Sequence, residues 1–222
     1  MIKYKINNFI FSSSASVYGK PISHKISESH KMKPISNYGK NKKEIDKILI
    51  KVGKKKNFKS ISLRYFNAAG ADESGEIGEN HHPETHLIPK IFKSINQNKN
   101  KVYVYGNNYK TKDGTCIRDY VHVNDIVRAH YYGLKKFKND KCILHYNIGS
   151  EKGYSIFEII KRIEKITQTK LKIIFKDKRE GDPPILVAKC KKIFDELNWK
   201  PKYSNIDRIL ISAWNWHRKK KK

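Results

Sequence analysis

Hydrophobic positions along this 222-residue chain follow two rhythms that trade places repeatedly. In "NNFIFSSS" a short apolar run ends in small hydroxyl residues. It reads as a buried strand entering a serine-rich turn, where a ligand can approach the backbone. From Ser36, a good N-cap, "NYGKNKKEIDKILIKVGK" takes a helical period. Ile45, Ile48, Leu49 and Val52 recur at three- and four-residue spacing, and Gly53 is the expected stop. "KSISLRYFN" returns to alternation through Ile61, Leu63 and Tyr65, and so reads as a strand. The stretch "AAGADESGEIGENHHPETH", with Gly70, Gly75 and Gly78, has no period and is expected to be loop. A helix from Leu87 to about Gln97 and the strand "KVYVYG" come next. "VHVNDIVRAHYYGLKKF" is helical with Asp125 near its start. "LHYNIGS" is a strand, "YSIFEIIKRIEKIT" a helix, "KLKIIFK" a strand, and Asn205 to about Lys219 a final helix.

Strands that alternate with helices predict an α/β fold with a parallel sheet. The irregular middle and the last third are too rich in loops to extend that sheet. They are expected to form a smaller lobe over the strand ends, where ligands bind in open α/β folds.

Composition changes this picture little. The 48 Lys and Arg outnumber the 21 Asp and Glu, giving a net charge of +27. Such an excess ordinarily points to a polyanion partner. Here the lysines are scattered among Asn and Ile, as in "KVGKKKNFKS" and "SINQNKNKVYVYGNNYK". These three residue types share A/T-rich codons, so compositional drift accounts for the charge and a nucleic-acid partner is disfavoured. The terminal "RKKKK" reads as a solvated tail. Cys116, Cys142 and Cys190 are far apart and unpatterned, as reduced thiols are. No apolar run approaches the roughly 20 residues of a membrane helix. The start, "MIKYKINNFIF", is too short and too polar for a signal peptide. A cytoplasmic protein without a membrane segment is expected.

Tyr38 and Lys42, four residues apart, share one face of the first helix. A free tyrosine has a pKa of about 10 and is a poor base at neutral pH. A lysine one turn away favours the phenolate, and a bound oxidised nicotinamide adds a second positive charge. Such a phenol can take the proton of a secondary alcohol while the nicotinamide takes the hydride. The serines of "SSSAS" offer a hydroxyl for the same oxygen. In a lysine-rich chain the spacing also arises by chance. His81, His82 and His86 suggest zinc, but Pro83 breaks helical i,i+4 geometry and no cysteine is near, so no metal is expected.

Longer strings are more specific. "FSSSASVYG", "YGKNK", "LRYFNAAGAD", "GENHHPETHLIP", "DGTCIRDYVHVNDI" and "REGDPP" stand in this order. Together they closely resemble the UDP-glucose 4-epimerase (UDP-galactose 4-epimerase) members of the extended short-chain dehydrogenase/reductase family. The resemblance runs from Asn8 to Trp216. Ser14 and Ala15 stand where the sugar-nucleotide dehydratase relatives carry an acidic pair.

The resemblance implies NAD as cofactor and a UDP-hexose as substrate, with UDP-glucose and UDP-galactose interconverted by oxidation and reduction at sugar C4, a step of galactose metabolism. It makes Tyr38 the base, Lys42 its electrostatic partner and a ribose contact, and Ser14 the hydroxyl at the C4 oxygen. Ser12, Tyr65 and Phe66 join these three around the cofactor. Asn67 is implied to hold the diphosphate or sugar, Arg118 and Arg179 to neutralise the diphosphate with guanidinium forks, and Asp182 to accept from the uridine ribose. Tyr103 and Tyr105 would line the uracil pocket, although on sequence alone they are equally core residues. Arg118 beside Asp119 also reads as a surface pair. His86 and Leu87 are implied sugar contacts; His86 stands where many members have Asn. Leu186 falls where side-chain size tunes acceptance of N-acetylated sugars.

The implied fold is the C-terminal part of a Rossmann-like parallel sheet, residues 1–67 and 119–150, with a smaller α/β nucleotide-sugar lobe, residues 68–118 and 151–222. A homodimer is compatible with the resemblance. Family members begin with a strand and a G-x-x-G-x-x-G turn that seats the pyrophosphate on a helix end. No such turn precedes the serine strand here, and roughly a hundred residues, the first mononucleotide-binding half, are expected to be missing. The chain alone is then expected to bind NAD poorly. It would be an incomplete gene model, a decaying split gene, or a half-enzyme complemented by a separately encoded N-terminal piece. Two other readings remain: an epimerase or decarboxylase for another nucleotide sugar, and a non-catalytic basic binding protein on the same scaffold.

Overall fold

The computed structural model describes residues 1–21, 23–55, 58–137 and 143–219. Its elements in chain order are β1 (Asn8–Ser14), β2 (Lys25–Ile26), α1 (Asn37–Lys55), β3 (Lys59–Tyr65), β4 (Asn67–Ala69), α2 (Leu87–Asn96), β5 (Lys101–Tyr105) and β6 (Ile117–His122). There follow α3 (Val123–Lys136), β7 (Ile143–Ile148), β8 (Gly153–Ser155), α4 (Ile156–Thr167), β9 (Lys172–Lys176), β10 (Ile185–Ala188), α5 (Lys191–Leu197) and α6 (Ile206–Lys219).

The expected parallel sheet is formed by β1, β3 and β7, in that order, with Ser14 opposite Tyr65 and Tyr65 opposite Ile148. Its two faces are read off the alternation in β3. Ile61 and Leu63 meet Ile126 and Ala129 of α3 in one core. The alternate residues Ser60, Ser62 and Arg64 are buried on the α1 side, where Leu49 packs with Phe11 and Phe58. There Arg64 pairs with Asp46 of α1 at 3.0 Å, each only 2% exposed. Arg64 Nη1 donates to the Tyr18 hydroxyl (3.0 Å), which donates to Asn147 Oδ1 (2.7 Å). Burial pushes the Tyr18 phenol up to about 12, so it stays a neutral donor. Breaking such a buried pair from one side costs about 3–5 kcal/mol. This network therefore fixes α1, and with it Tyr38, on the sheet.

A second sheet runs β2-β10-β6-β4, with β8 antiparallel on β6, and β5 pairs with β9 in parallel. β6 is the seam between two cores. Val121 faces the first, with Tyr146, Ile148 and Trp199; its neighbour Tyr120 faces the second, with Ile91, Phe92, Ile159 and Ile209.

Local structure departs from the hydrophobic pattern in several places, among them Tyr154 and Ser155, which belong to β8 rather than to α4, and β2, which was not expected. α1 does not stop at Gly53 but continues to Lys55. A Cβ on Gly53 would stand 2.5 Å from Ile143 Cδ1, so this glycine serves close helix–strand packing. The expected loop after Tyr65 begins with β4, paired to β6. Val121 and His122 belong to β6 rather than to the helix, and His122 Nδ1 caps α3 by accepting from Asn124 N at 3.1 Å. β10 and α5 were not expected; both are too short to show a period.

Cys116 and Cys190 are buried and free. Cys142 and the last three lysines lie outside the described residues. Among the described residues no helix is long and apolar enough to cross a membrane.

Candidate active site

Gly39 decides where the Tyr38–Lys42 pair sits. α1 is opened by Ser36, whose Oγ accepts from Gly39 N at 3.1 Å. A Cβ on Gly39 would stand 2.5 Å from the Ser16 carbonyl oxygen, so only glycine lets the first turn of α1 lie against the 3-10 turn Ala15–Val17. Ser14 caps that turn, its Oγ accepting from Ser16 N at 3.2 Å. Tyr38 and Ser14 thereby line one cavity of about 480 Å³. Tyr65, Phe66, Asn67, His86 and Leu87 form its walls, and Arg118, Arg179 and Asp182 line it as well.

At the Tyr38 end the phenol is 57% exposed. Lys42 Nζ lies 5.5 Å from its ring centroid and 4.8 Å from that of Phe11, and donates to Ser12 O at 2.8 Å. The ammonium is held in place beside the phenol. The Tyr65 hydroxyl bonds Ser12 Oγ and His130 Nε2, both at 2.9 Å. Burial pushes the Tyr65 phenol above its ordinary value, and the nearby Tyr38 adds to the rise. Tyr38 is thus the accessible phenol beside a cation, and Tyr65 the neutral one.

At the other end Arg118 Nη2 donates to Asp182 Oδ1 at 2.5 Å, and Nη1 to Ile117 O at 2.9 Å. The Arg179 guanidinium lies 4.0 Å from the Tyr105 ring centroid. Arg179, Asp182 and Leu87 also line a second cavity of about 630 Å³, with Tyr103 and Tyr105. Two guanidiniums against one carboxylate leave this junction positive, which suits a diphosphate.

Several site residues are placed differently from their simplest sequence readings. Arg118 does not pair with Asp119: Asp119 is buried and accepts from Ser150 N, Ser150 Oγ, Glu151 N and Ala188 N at 2.7–3.0 Å. Tyr103 is not core; Val102 and Val104 are buried, and Tyr103 is 49% exposed. Asn67 Nδ2 donates to Asp119 O at 2.8 Å, which fixes its amide. His86 bonds Glu79, and that hydrogen bond raises its pKa.

Residues 1–149 match the model of the NAD dependent epimerase/dehydratase family. The chain belongs to this family. It is similar to UDP-glucose 4-epimerase of Lacticaseibacillus casei, with 41% identity over 217 residues, or 98% of this chain and 66% of that protein. A crystal structure of UDP-glucose 4-epimerase superposes with a TM-score of 0.94 at 41% identity, covering 99% of this chain and 67% of that one. The enzyme from Bifidobacterium longum, in complex with NAD+ and UDP, gives 0.91 at 36% identity, covering 99% and 66%. The chain thus spans just under two thirds of the length of the curated relative, at 66%.

In this epimerase/dehydratase chain the cavity also draws on residues that the sequence did not single out. Trp216 of α6 lines it and donates from Nε1 to Glu79 O at 3.1 Å. Thr85, Cys116 and Ile156 border both cavities. Thr85 had a signal, its place inside "PETHLIP"; Trp216 lies far along the chain and had none. Conversely, Leu186 lines neither cavity. It stands opposite Arg118 in the β10–β6 pairing and packs on the first core.

Proposed function

We propose that this chain supplies the substrate-binding and proton-handling side of a UDP-hexose 4-epimerase that interconverts UDP-glucose and UDP-galactose with NAD. The observation that carries this reading is one cavity lined by Tyr38 and Ser14 together with Arg118, Arg179 and Asp182. The names of the similar proteins point the same way, and the Bifidobacterium longum enzyme was crystallised with NAD+ and UDP.

NAD, when bound, accepts a hydride from the sugar carbon and gives it back. The residues present suit its nicotinamide-ribose end. An exposed phenol, a fixed ammonium and the hydroxyls of Ser12 and Ser14 gather where β1 and β3 end, as ligand groups do in open α/β sheets. Tyr65 and Phe66 complete that side. No glycine-rich phosphate turn occurs in these 222 residues, so this chain's own grip is on the nicotinamide side.

Tyr38 takes the proton of the C4 hydroxyl and later returns it, Lys42 stabilises the phenolate, and Ser14 hydrogen-bonds the C4 oxygen. Arg118 and Arg179 hold the diphosphate so that the sugar can present either face to Tyr38, with Asn67, His86 and Leu87 around it. Asp182 accepts from the uridine ribose, and Tyr103 and Tyr105 flank the base. Residues 1–67 and 119–150 then serve the cofactor, and residues 68–118 and 151–222 the nucleotide sugar.

Titration with UDP by calorimetry tests the reading on this chain itself. Saturable one-to-one binding that Arg179→Ala weakens is expected. A chain that binds no UDP would overturn it.

A further inference from the structure

We propose that Glu79, His81, Glu84 and His86 form a binding site for one divalent transition cation of the zinc class, on the loop that rims the sugar-nucleotide cavity. One donor atom from each of the four residues can be chosen so that all lie within 4.8 Å of one another. His81 Nδ1 is 3.5 Å from Glu79 Oε1, and His81 Nε2 is 3.3 Å from Glu84 Oε1. His86 Nδ1 bonds the same Glu79 oxygen. Tetrahedral zinc takes nitrogen and oxygen ligands at about 2.0–2.2 Å, which sets its donors roughly 3.3–3.6 Å apart. His81 faces the two carboxylates with different nitrogens, so closing on an ion through one nitrogen of each imidazole and one oxygen of each carboxylate draws donors now up to 4.8 Å apart together by about 1 Å.

Charge supports the same conclusion. With neutral imidazoles the cluster carries two negative charges. Among the described residues no lysine or arginine nitrogen lies within 4.0 Å of either carboxylate, in a chain with 48 such residues. The Glu84 side chain is only 8% exposed. A carboxylate so far withdrawn from water is costly without a cation. The backbone is also prepared: His86 N donates to Glu84 Oε1 at 2.8 Å, and the Glu79 carbonyl is held by Trp216 at 3.1 Å.

Pro83, the reason to expect no metal, denies the histidines a shared helix face. It places no such limit on a loop, where the two glutamates supply the donors that a helix would not. His82 takes no part. The ion has an entrance, since Glu79, His81 and Glu84 line a third cavity of about 260 Å³. His86 lines the 480 Å³ cavity and Glu84 the 630 Å³ one, so an ion here would fix a wall of each.

The test is a competition titration of the untagged chain with Zn2+ against a chromophoric chelator, with Mg2+ alongside and thermal melting as a second readout. One Zn2+ per chain is expected, with no comparable Mg2+ binding and a Zn2+-dependent rise in melting temperature. His81→Ala and Glu84→Gln should each weaken Zn2+ by at least the roughly 10–100-fold that loss of an outer-shell partner costs. His82→Ala should change nothing. The His81 side chain is 42% exposed, so its removal leaves the fold intact. Absence of a stoichiometric site, or Zn2+ binding that His81→Ala and Glu84→Gln leave unchanged, would overturn the proposal, as would an equal loss in His82→Ala.

Discussion

The Tyr38 end of the cavity and the Arg118 end are held in place by different means. At the first, once the Arg64–Asp46 pair has fixed α1 on the sheet, backbone contacts do the local positioning. Gly39 lets α1 touch the turn after β1, and Lys42 is tied to the Ser12 carbonyl, while the phenol itself stays largely in water. At the second, side chains position one another: Arg118 is bound to Asp182, and Arg179 lies over Tyr105. A group placed by the backbone can be changed without moving its neighbours. A group placed by a partner side chain cannot, because its removal frees the partner.

The sharpest way to break this comparison is Tyr38→Phe. Under the proposed reading it removes the proton acceptor and nothing that holds the fold, so any NAD-dependent conversion of UDP-galactose by this chain should fall by about 10²–10⁴-fold while UDP affinity and melting temperature stay the same. A variant that keeps full turnover would disprove the role of Tyr38. Gly39→Ala attacks the backbone device instead. The methyl group must push α1 away from Ser16, at about 1–3 kcal/mol of stability, and carry Tyr38 away from Ser14. Turnover should drop with UDP affinity retained, as kinetics beside calorimetry would show.

At the other end, Arg118→Ala should weaken UDP by about 10- to 150-fold, the equivalent of about 1.5–3 kcal/mol for a lost charged hydrogen bond. Because Arg118 also pairs with Asp182, the double variant with Asp182→Asn should be less than additive. Additive losses would show that the two ends are built alike after all.

How much of this was legible in the sequence follows the same division. The sheet was visible because Ile61 and Leu63 alternate with Ser60 and Ser62 along one strand. Tyr38 and Lys42 were visible because a helix turns four residues into neighbours. β6 was not visible as a strand, because Tyr120 and Val121 face two different cores while the buried Arg118, Asp119 and His122 put polar residues on both faces, so no alternation shows. The Arg118–Asp182 contact spans 64 residues and has no local period. Only the longer strings brought those residues forward, and even they suggested Asp119 as an alternative partner. The Arg64–Asp46 pair went unnoticed for a related reason: a charge on each of two amphipathic segments reads as solvated until the segments are packed together.

The smallest expected effect lies away from both ends, and it guards the comparison against a confusion of pH. Burial, with Arg64 and Lys192 nearby, pushes the His145 imidazole down to about 4. In the unfolded chain it titrates near its ordinary value of about 6.5. Between these values the unfolded state binds a proton that the folded state refuses, so acid favours unfolding. The stability present above pH 6.5 is therefore lost as the pH falls towards 4. The whole shift corresponds to about 3 kcal/mol, which solvent screening at a partly exposed group reduces to about 1–2 kcal/mol. Urea midpoints measured from pH 7 to pH 4 should fall in the native chain and fall less in His145→Gln, whose backbone carbonyl still accepts from Lys192. Parallel curves for the two proteins would assign the acid sensitivity elsewhere. A difference between them marks the pH range in which loss of turnover must be corrected for unfolding before it is credited to Tyr38.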